Sequence, residues 1–310
     1  MNKVLKKVIQ QISNQDINVK KNYKLLRFLQ NVVNPNFLNK DNYRDIVVSI
    51  GNRNIKCRVF EPKNNSKKLK AIIFIHGGGW STGSVSTYTK LCTELSRKTH
   101  RMIISIDYRL APEYPYPAGF DDCYDVTKFI MNNLEKIGLT EDDICLLGDS
   151  AGGNLVASIV NKSKKTKDFV IKQQILLYPS LQMDYSYTTK YKSVIQNGKD
   201  YLLTRSQLQD YVDLYLIDKG KINDIYVSPL NKKICFGYPK SLVITADNDP
   251  LRDEGRAYAR KLKLFFNKVT YYNFKGAMHG FLSYPVGKKY KDEAIKKILK
   301  FLGDDDEQKK

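Results

Sequence analysis

The stretch Ile144-Cys-Leu-Leu-Gly-Asp-Ser-Ala-Gly-Gly-Asn154 decides the fold that we expect for this chain. Its first four residues are apolar, as in a strand that is covered on both faces of a sheet. Residues 152–161 follow a helical pattern, so Ser150 lies in a sharp turn between a strand and a helix. Small residues on both sides permit such a turn, which exposes the hydroxyl near the helix N-terminus. The stretch therefore predicts a nucleophilic serine.

Other site chemistries fit the sequence less well. Gly148 and Gly153 have the spacing of a phosphate-binding loop, but Asn154 and Leu155 stand where that loop has Lys and Ser or Thr. The glycines near residue 80 are wrongly spaced for a dinucleotide fingerprint. No cluster of His, Cys and carboxylate residues in the sequence suits a catalytic metal. We therefore expect neither a metal nor a cofactor.

Short apolar runs recur along the chain and alternate with helical patterns. We expect strands at residues 46–50, 55–60, 71–75, 102–106, 144–147, 174–178, 241–245 and 269–274. We expect helices at residues 88–98, 120–134, 152–161, 253–266 and 291–301. This alternation is typical of a mostly parallel central sheet flanked by helices on both faces, so the predicted fold class is α/β.

Two segments lie outside this alternation. Residues 1–40 precede the sheet, and residues 181–227 are polar, rich in tyrosine and too long for a plain connecting loop. We expect these segments to form a helical cap over one edge of the sheet. Residues 41–180 and 228–303 then form the two parts of the core, and residues 304–310 form a short charged tail.

A nucleophilic serine needs a base, and the chain offers three histidines. His100 precedes a strand on the opposite side of the sheet, where we expect a surface residue. His76 begins His76-Gly-Gly-Gly-Trp80, whose consecutive glycines allow backbone N–H groups to approach a ligand, as an oxyanion hole requires. His279 follows the last strand in Gly276-Ala-Met-His-Gly-Phe281, and elimination makes it the predicted base.

The base in turn needs a carboxylate to orient it. Asp247 and Asp249 follow the strand predicted to end at residue 245, and Asp253 and Glu254 lie one turn further on. A carboxylate directly after a strand end can reach the loop that carries His279, whereas one on the helix points elsewhere or caps its first turn. The pattern of residues leaves Asp247 and Asp249 as candidates.

Five ordered motifs give the chain a specific resemblance. They are His76-Gly-Gly-Gly-Trp80, Tyr108-Arg-Leu-Ala-Pro-Glu113, Gly148-Asp-Ser-Ala-Gly-Gly153, Asp249-Pro-Leu-Arg-Asp-Glu-Gly255 and His279-Gly-Phe281. With this combination, over about residues 45–302, the chain resembles the hormone-sensitive-lipase-like carboxylesterases of the α/β-hydrolase superfamily. The order Ser150, Asp249, His279 also agrees with the order nucleophile, acid, base in α/β hydrolases.

The resemblance implies roles for individual residues. In that family the aspartate that opens the fourth motif is the acid, which here implies Asp249 instead of Asp247. The second and third glycines of the first motif and the residue after the serine donate to the oxyanion, which implies Gly78, Gly79 and Ala151. The family also carries a cap built from an N-terminal segment and an insertion before the seventh strand, in agreement with the two segments described above.

These observations predict a serine carboxylesterase that hydrolyses short-chain acyl or acetyl esters through an acyl-enzyme. A covered site favours small substrates, because small-molecule pockets enclose most of their ligand. Five tyrosines are candidates for its walls or for ordinary packing residues: Tyr185, Tyr187, Tyr191, Tyr211 and Tyr215. Two alternatives stay open, namely an amidase or arylformamidase that uses the same triad, and a ligand-binding protein of this fold without catalysis.

Composition and charge limit the partners of the chain. Its 310 residues include 52 basic and 32 acidic ones, for a net charge of +20. Lysine far outnumbers arginine and is scattered, so we expect a solvated basic surface and no nucleic-acid partner. Five widely spaced cysteines indicate a reducing compartment, which we take to be the cytoplasm. The expected partner is a small ester, and a homodimer is left open.

The N-terminus could contact a membrane without crossing it. Apolar residues within residues 1–12 share one helical face that lysines flank, which predicts an amphipathic helix packed on the protein or lying on a membrane surface. No apolar run in the sequence approaches the roughly 18 residues that a spanning helix needs. We therefore expect no stable membrane insertion.

Overall fold

Eight strands form one sheet in the computed structural model, which describes residues 17–33, 43–62, 69–283 and 287–303. The strands are β1 (Arg44–Ile50), β2 (Arg53–Phe60), β3 (Ala71–Ile75), β4 (Met102–Ile106), β5 (Ile144–Asp149), β6 (Gln173–Leu177), β7 (Lys240–Asn248) and β8 (Val269–Met278). The helices are α1 (Val19–Val33), α2 (Thr89–Thr99), α3 (Ala118–Met131), α4 (Ala151–Thr166), α5 (Lys192–Gln196), α6 (Arg205–Tyr215), α7 (Arg252–Leu264) and α8 (Lys288–Leu302).

The sheet is mostly parallel, as predicted. Its strand order is β1-β2-β4-β3-β5-β6-β7-β8. Strands β1 and β2 pair antiparallel, as do β2 and β4, whereas every pair from β4 to β8 is parallel. Parallel neighbours end at the same edge of the sheet, so the residues that follow β3, β5, β7 and β8 can meet there.

The sheet is buried on both faces. Along β3, Ile72 and Phe74 belong to one apolar cluster, and Ile73 and Ile75 belong to the other. Side chains of α2 and α8 complete the first cluster, and side chains of α3, α4 and α7 complete the second. Successive residues of a strand point to opposite faces, so a strand covered on both sides is apolar at every position. This explains the wholly apolar runs in the sequence.

Two strands are longer than their apolar runs indicated. Strands β7 and β8 were expected to end at residues 245 and 274, but their pairing continues to Asn248 and Met278, which lie opposite each other. A bulge between Ala246 and Asn248 interrupts the register. The added residues, 246–248 in β7 and 275–278 in β8, include polar residues and a glycine. They therefore lack the continuous apolar run from which the strand ends are predicted. The extension brings the next residue of each strand to the same place at the edge of the sheet.

The two segments outside the sheet contact each other. The N–H of Val19 at the start of α1 donates to the carboxylate of Asp210 on α6 at 2.8 Å. Lys20 forms ion pairs with Asp210 and Asp213 of the same helix. These contacts agree with a cap built from both segments, although its boundaries stay a prediction. The amphipathic helix predicted over residues 1–12 lies outside the described residues.

None of the helices in the described ranges is both long enough and apolar enough to cross a membrane.

Candidate active site

Ser150 occupies a strained turn between β5 and α4. Its backbone has a φ of 53° and a ψ of −119°, outside the regions that residues other than glycine usually adopt. The Ser150 N–H donates to the Leu177 carbonyl at 2.9 Å, and its carbonyl accepts from the Asn154 N–H at 3.1 Å. A Cβ at Gly148 would overlap the backbone of Gly152, so this turn requires glycine there. The fold therefore holds the half-buried serine at the carboxyl edge of the sheet.

Three predicted residues form one chain of hydrogen bonds. The Ser150 Oγ lies 2.9 Å from Nε2 of His279. The other ring nitrogen of His279, Nδ1, lies 2.8 Å from Oδ2 of Asp249. Asp249 is fully buried, and its Oδ1 accepts from the Leu251 N–H at 2.8 Å. Because Asn248 and Met278 pair across β7 and β8, the sheet itself brings Asp249 and His279 together.

Asp247, the other candidate acid, lies apart from this chain of hydrogen bonds. Its carboxylate accepts from the Asn273 side chain and the Gly276 N–H, each at 3.3 Å, and is 3.8 Å from the Arg252 guanidinium. Its side chain is 34% exposed and lines a surface cavity of about 460 Å³. The bulge in β7 separates the two aspartates, so only Asp249 contacts His279.

Within the described ranges, the three backbone N–H groups predicted for the oxyanion hole have no protein acceptor. They belong to Gly78, Gly79 and Ala151. Gly78 and Gly79 have φ values of 114° and 58°, which glycine adopts at little cost. Ala151 is the first residue of α4, where a free N–H is expected of any helix. Such groups are suited to binding an anionic oxygen.

Comparison with known proteins adds to this geometry. Residues 72–283 match a family described as having the alpha/beta hydrolase fold. An arylesterase of Saccharolobus solfataricus is 31% identical over 83% of this chain and 82% of its own length.

This chain belongs to the α/β-hydrolase family.

Two further relatives agree with that assignment. The structure of a hyperthermophilic esterase from Pyrobaculum calidifontis superposes on this chain with a TM-score of 0.84 and 29% identity. The superposition covers 97% of this chain and 97% of the esterase. An arylacetamide deacetylase of Oryctolagus cuniculus is 31% identical over 74% of this chain and 73% of its own. The resemblance to the hormone-sensitive-lipase-like carboxylesterases is thereby confirmed, as is the α/β-hydrolase fold.

Behind the serine of this α/β hydrolase lies a buried carboxyl group. Asp149 accepts from the Gly77 N–H at 2.8 Å and from the hydroxyls of Tyr88 at 3.0 Å and Tyr178 at 3.4 Å. Burial raises the pKa of Asp149 to about 6, although these three donors favour the ionised form. The contact to Gly77 ties residues 76–83, which we call the glycine loop, to the turn that carries Ser150.

Among the described residues, neither of the two remaining histidines forms a hydrogen bond to Ser150. His76 is fully buried and stacks on Tyr108 with ring centroids 4.4 Å apart. Burial lowers its pKa, so the ring is neutral at physiological pH. His100 is exposed and ends α2 in a left-handed conformation. Their positions agree with the elimination that left His279 as the base.

Sequence reasoning missed three residues that support the site. Asn197, just after α5, donates from Nδ2 to the carbonyl oxygens of Asp247 and Asp249, each at 3.1 Å. Ser193 on the same helix donates from its hydroxyl to Pro250 at 2.7 Å. Arg27 of α1 reaches the glycine loop, as described below. Each contact joins residues far apart in the chain, and no local motif signals it.

The tyrosines of residues 181–227 differ in their positions. Tyr185 and Tyr215 are buried, and Tyr215 stacks on Trp80 with ring centroids 4.5 Å apart. Tyr187 is 75% exposed and lies beneath the Arg205 guanidinium. The Tyr211 ring is so close to Gly79 that a Cβ there would overlap it. Tyr211 therefore lies against the glycine loop, whereas Tyr185 and Tyr215 are packing residues and Tyr187 faces solvent. The fifth, Tyr191, is half-buried and packs against the apolar core.

Within the described ranges no group of three or more His, Cys, Asp or Glu side chains is arranged to hold a metal ion.

Proposed function

We propose that this α/β hydrolase is a serine carboxylesterase that works through an acyl-enzyme. Ser150 Oγ attacks the ester carbonyl carbon while His279 Nε2 accepts the hydroxyl proton. The carboxylate of Asp249 fixes the imidazole with its proton on Nδ1 and stabilises the imidazolium that forms. His279 then protonates the leaving alcohol, and it activates a water molecule that releases the acid from Ser150. The chemistry needs no cofactor.

One observation carries the proposal more than any other. The distances of 2.9 Å from Ser150 to His279 and 2.8 Å from His279 to Asp249 allow a proton to move from the hydroxyl to a ring that a buried carboxylate holds. The strained turn at Ser150 and the membership of the α/β-hydrolase family support the same reading.

The three free N–H groups form the proposed oxyanion hole. Gly78, Gly79 and Ala151 would donate to the carbonyl oxygen as it gains negative charge in the tetrahedral intermediate. In other hydrolases, loss of one such donor costs on the order of 10²–10³ in kcat. Because these donors are fixed before the substrate arrives, they need no reorganisation during the reaction.

Ester hydrolysis is tested with a matched pair of variants. We expect the wild-type protein to hydrolyse p-nitrophenyl butyrate, and Ser150→Ala to lose at least about 10⁴-fold in kcat, since triad members act as a unit. Ser158→Ala is the control, because it removes a buried hydroxyl without a hydrogen-bond partner in the described ranges, two turns along α4. Near-wild-type activity of Ser150→Ala would refute the proposal.

An amidase activity is the second candidate function. It is favoured by the similarity to a protein named arylacetamide deacetylase. The two activities separate when phenyl acetate is compared with acetanilide, and phenyl formate with formanilide. We expect the esters to react faster by several orders of magnitude, because an anilide has a less electrophilic carbonyl carbon and a poorer leaving group than the matched aryl ester. Comparable rates on ester and anilide would favour the amidase or arylformamidase instead.

The chain-length preference follows from the position of α6. We propose that a cap formed by residues 1–40 and 181–227 covers the entrance to Ser150. The position of Tyr211 against the glycine loop and the contact of α1 with α6 support this proposal. We propose that this cover favours short acyl chains of roughly two to eight carbons. Activity on butyryl esters should saturate below their solubility limit. A sharp rise on emulsion formation, with strong long-chain activity, would refute the covered site.

The compartment and partners form part of the same proposal. Four free cysteines are buried, Cys57, Cys92, Cys123 and Cys145, and the exposed Cys235 is also free, which supports a reducing compartment such as the cytoplasm. The expected partner is a small-molecule ester, with no nucleic acid and no stable membrane insertion. A homodimer stays a prediction that sedimentation velocity can test.

A further inference from the structure

Helix α1 of the cap reaches the loop that carries the proposed oxyanion donors. From α1, Arg27 Nε donates to the Ser81 carbonyl at 2.7 Å, and Nη2 donates to the Ala111 carbonyl at 2.8 Å. The same guanidinium pairs with both carboxylate oxygens of Glu113, at 3.0 and 2.9 Å. One side chain of the cap therefore joins the end of the glycine loop to the loop of the second motif.

A second residue of α1 contacts the same loop one turn further on. The Oε1 of Gln30 accepts from the Gly83 N–H at 3.0 Å, and its Nε2 donates to the Thr82 hydroxyl at 3.4 Å. Arg27 and Gln30 thus hold three consecutive residues, from Ser81 to Gly83, against α1. The hydrogen bonds from α1 therefore extend over three residues of the loop and are not confined to a single point of attachment.

The anchored residues fix the Gly78 peptide. The Gly78 carbonyl accepts from the N–H of Ser81 at 3.1 Å, from the N–H of Thr82 at 2.8 Å and from the Thr82 hydroxyl at 2.9 Å. The Gly78 carbonyl and the Gly79 N–H belong to one planar peptide unit and point in opposite directions. Whatever fixes the direction of that carbonyl also fixes the direction of the Gly79 N–H, one of the proposed oxyanion donors.

We propose that Arg27 is a positioning residue that holds the oxyanion hole through Ser81, Thr82 and the Gly78 peptide. This inference rests on the proposed esterase function and extends it, because it makes helix α1 of the cap part of transition-state stabilisation. Loss of the Arg27 contacts then shifts the Gly79 N–H as well. The cap thereby controls the rate of the chemical step in addition to access to the site.

The chemistry of the contact explains why the residue is arginine. A guanidinium presents five donors in a rigid plane and meets the two carbonyls and the carboxylate at once, whereas a lysine ammonium cannot span all three directions. The Glu113 side chain is 41% exposed, so this ion pair by itself contributes little stability. Its effect is to hold the guanidinium plane against the two carbonyls.

The experiment compares steady-state kinetics on p-nitrophenyl acetate for the full-length wild type, Arg27→Met, Arg27→Lys and Lys20→Met. Lys20→Met is the matched control, because Lys20 ties α1 to α6 through Asp210 and Asp213 without contacting the glycine loop. We expect Arg27→Met to lower kcat about 10- to 100-fold with KM within about threefold, since a displaced donor acts in the transition state. We expect Lys20→Met to stay within about threefold of the wild type in kcat.

A transition-state analogue supplies a second readout. A trifluoromethyl ketone forms a hemiketal oxyanion on an active serine, so its Ki should rise in Arg27→Met by about the factor by which kcat/KM falls. Arg27→Lys retains the charge but places its N–H donors on a single nitrogen, and we expect it to recover part of the loss. If circular dichroism shows that Arg27→Met does not fold, the test rests on Arg27→Lys alone. A kcat of Arg27→Lys equal to that of the wild type would then overturn the proposal.

The outcomes separate this inference from the function on which it rests. Wild-type hydrolysis with Arg27→Met within threefold of it in kcat would overturn the positioning role and leave the esterase intact. Equal losses in Arg27→Met and Lys20→Met would also overturn it, because the effect would then come from anchoring α1. A wild-type protein without hydrolysis would overturn the proposed function and this inference together.

Discussion

Replacement of Asp249 by asparagine tests the acid of the proposed triad. Asp249 accepts two hydrogen bonds, at Oδ2 from the His279 ring and at Oδ1 from the Leu251 N–H. An asparagine keeps one acceptor oxygen and replaces the other by an NH₂ donor. If the NH₂ faces Leu251, two donors meet in a buried site, at a cost of about 1–3 kcal/mol. The asparagine therefore turns its NH₂ towards His279.

That orientation inverts the protonation of the ring. An NH₂ donor opposite Nδ1 selects the tautomer of His279 with its proton on Nε2, which cannot accept the proton of Ser150. We expect Asp249→Asn to lower kcat about 10⁴-fold, the size of the same change in a serine-protease triad, equal to about 5.5 kcal/mol in the activation free energy. The assay is kcat on a p-nitrophenyl ester, with circular dichroism to verify the fold.

The same substitution two residues earlier is the control. Asp247 contacts Asn273, Gly276 and Arg252 but not His279. We expect Asp247→Asn to change kcat by less than about threefold, as a partly exposed substitution outside the triad should. Equal losses in the two variants would refute the tautomer argument, and the reverse ranking would assign the acid to Asp247.

Two further changes probe the surroundings of the triad. Burial raises the pKa of Glu254 to about 8, so its contribution to folding is present at low pH and lost as pH rises through 8. Glu254→Gln should therefore flatten the fall in unfolding free energy between about pH 4.5 and 8, by up to about 1.4 kcal/mol per pH unit, in urea titrations. Parallel pH profiles for both proteins would contradict this. Gly79→Ala places a Cβ against the ring of Tyr211 and should lower kcat/KM about 10²-fold, with partial recovery in the double variant Gly79→Ala/Tyr211→Ala. An unaffected Gly79→Ala enzyme would count against the oxyanion role.

The features that sequence predicted are those encoded locally. The turn at Ser150 is set by its own flanking glycines, and the strands are visible because burial on both faces makes each position apolar. His279 followed from elimination among only three histidines. The sequence alone could therefore predict the fold and the residues proposed as nucleophile and base.

The features that sequence did not predict depend on register and distant contacts. The residue pattern alone does not decide whether Asp247 or Asp249 is the acid, because no run of apolar residues marks the bulge in β7 that separates them. Arg27 contacts a loop more than 50 positions away, and Asn197 contacts another about 50 away, so nothing beside them in the chain marks their roles. Such contacts arise only when the cap and the sheet pack together.

The central claim is that Ser150 is an activated nucleophile. A fluorophosphonate reacts with such a serine and adds a known mass. Intact-mass spectrometry of the treated protein then measures the number of adducts per chain, and peptide mapping identifies the residue that carries them. We predict one adduct per chain on Ser150 in the wild type, no adduct after heat denaturation, and none in Ser150→Ala. An unlabelled wild-type protein, or an adduct of the same yield in Ser150→Ala, would contradict it.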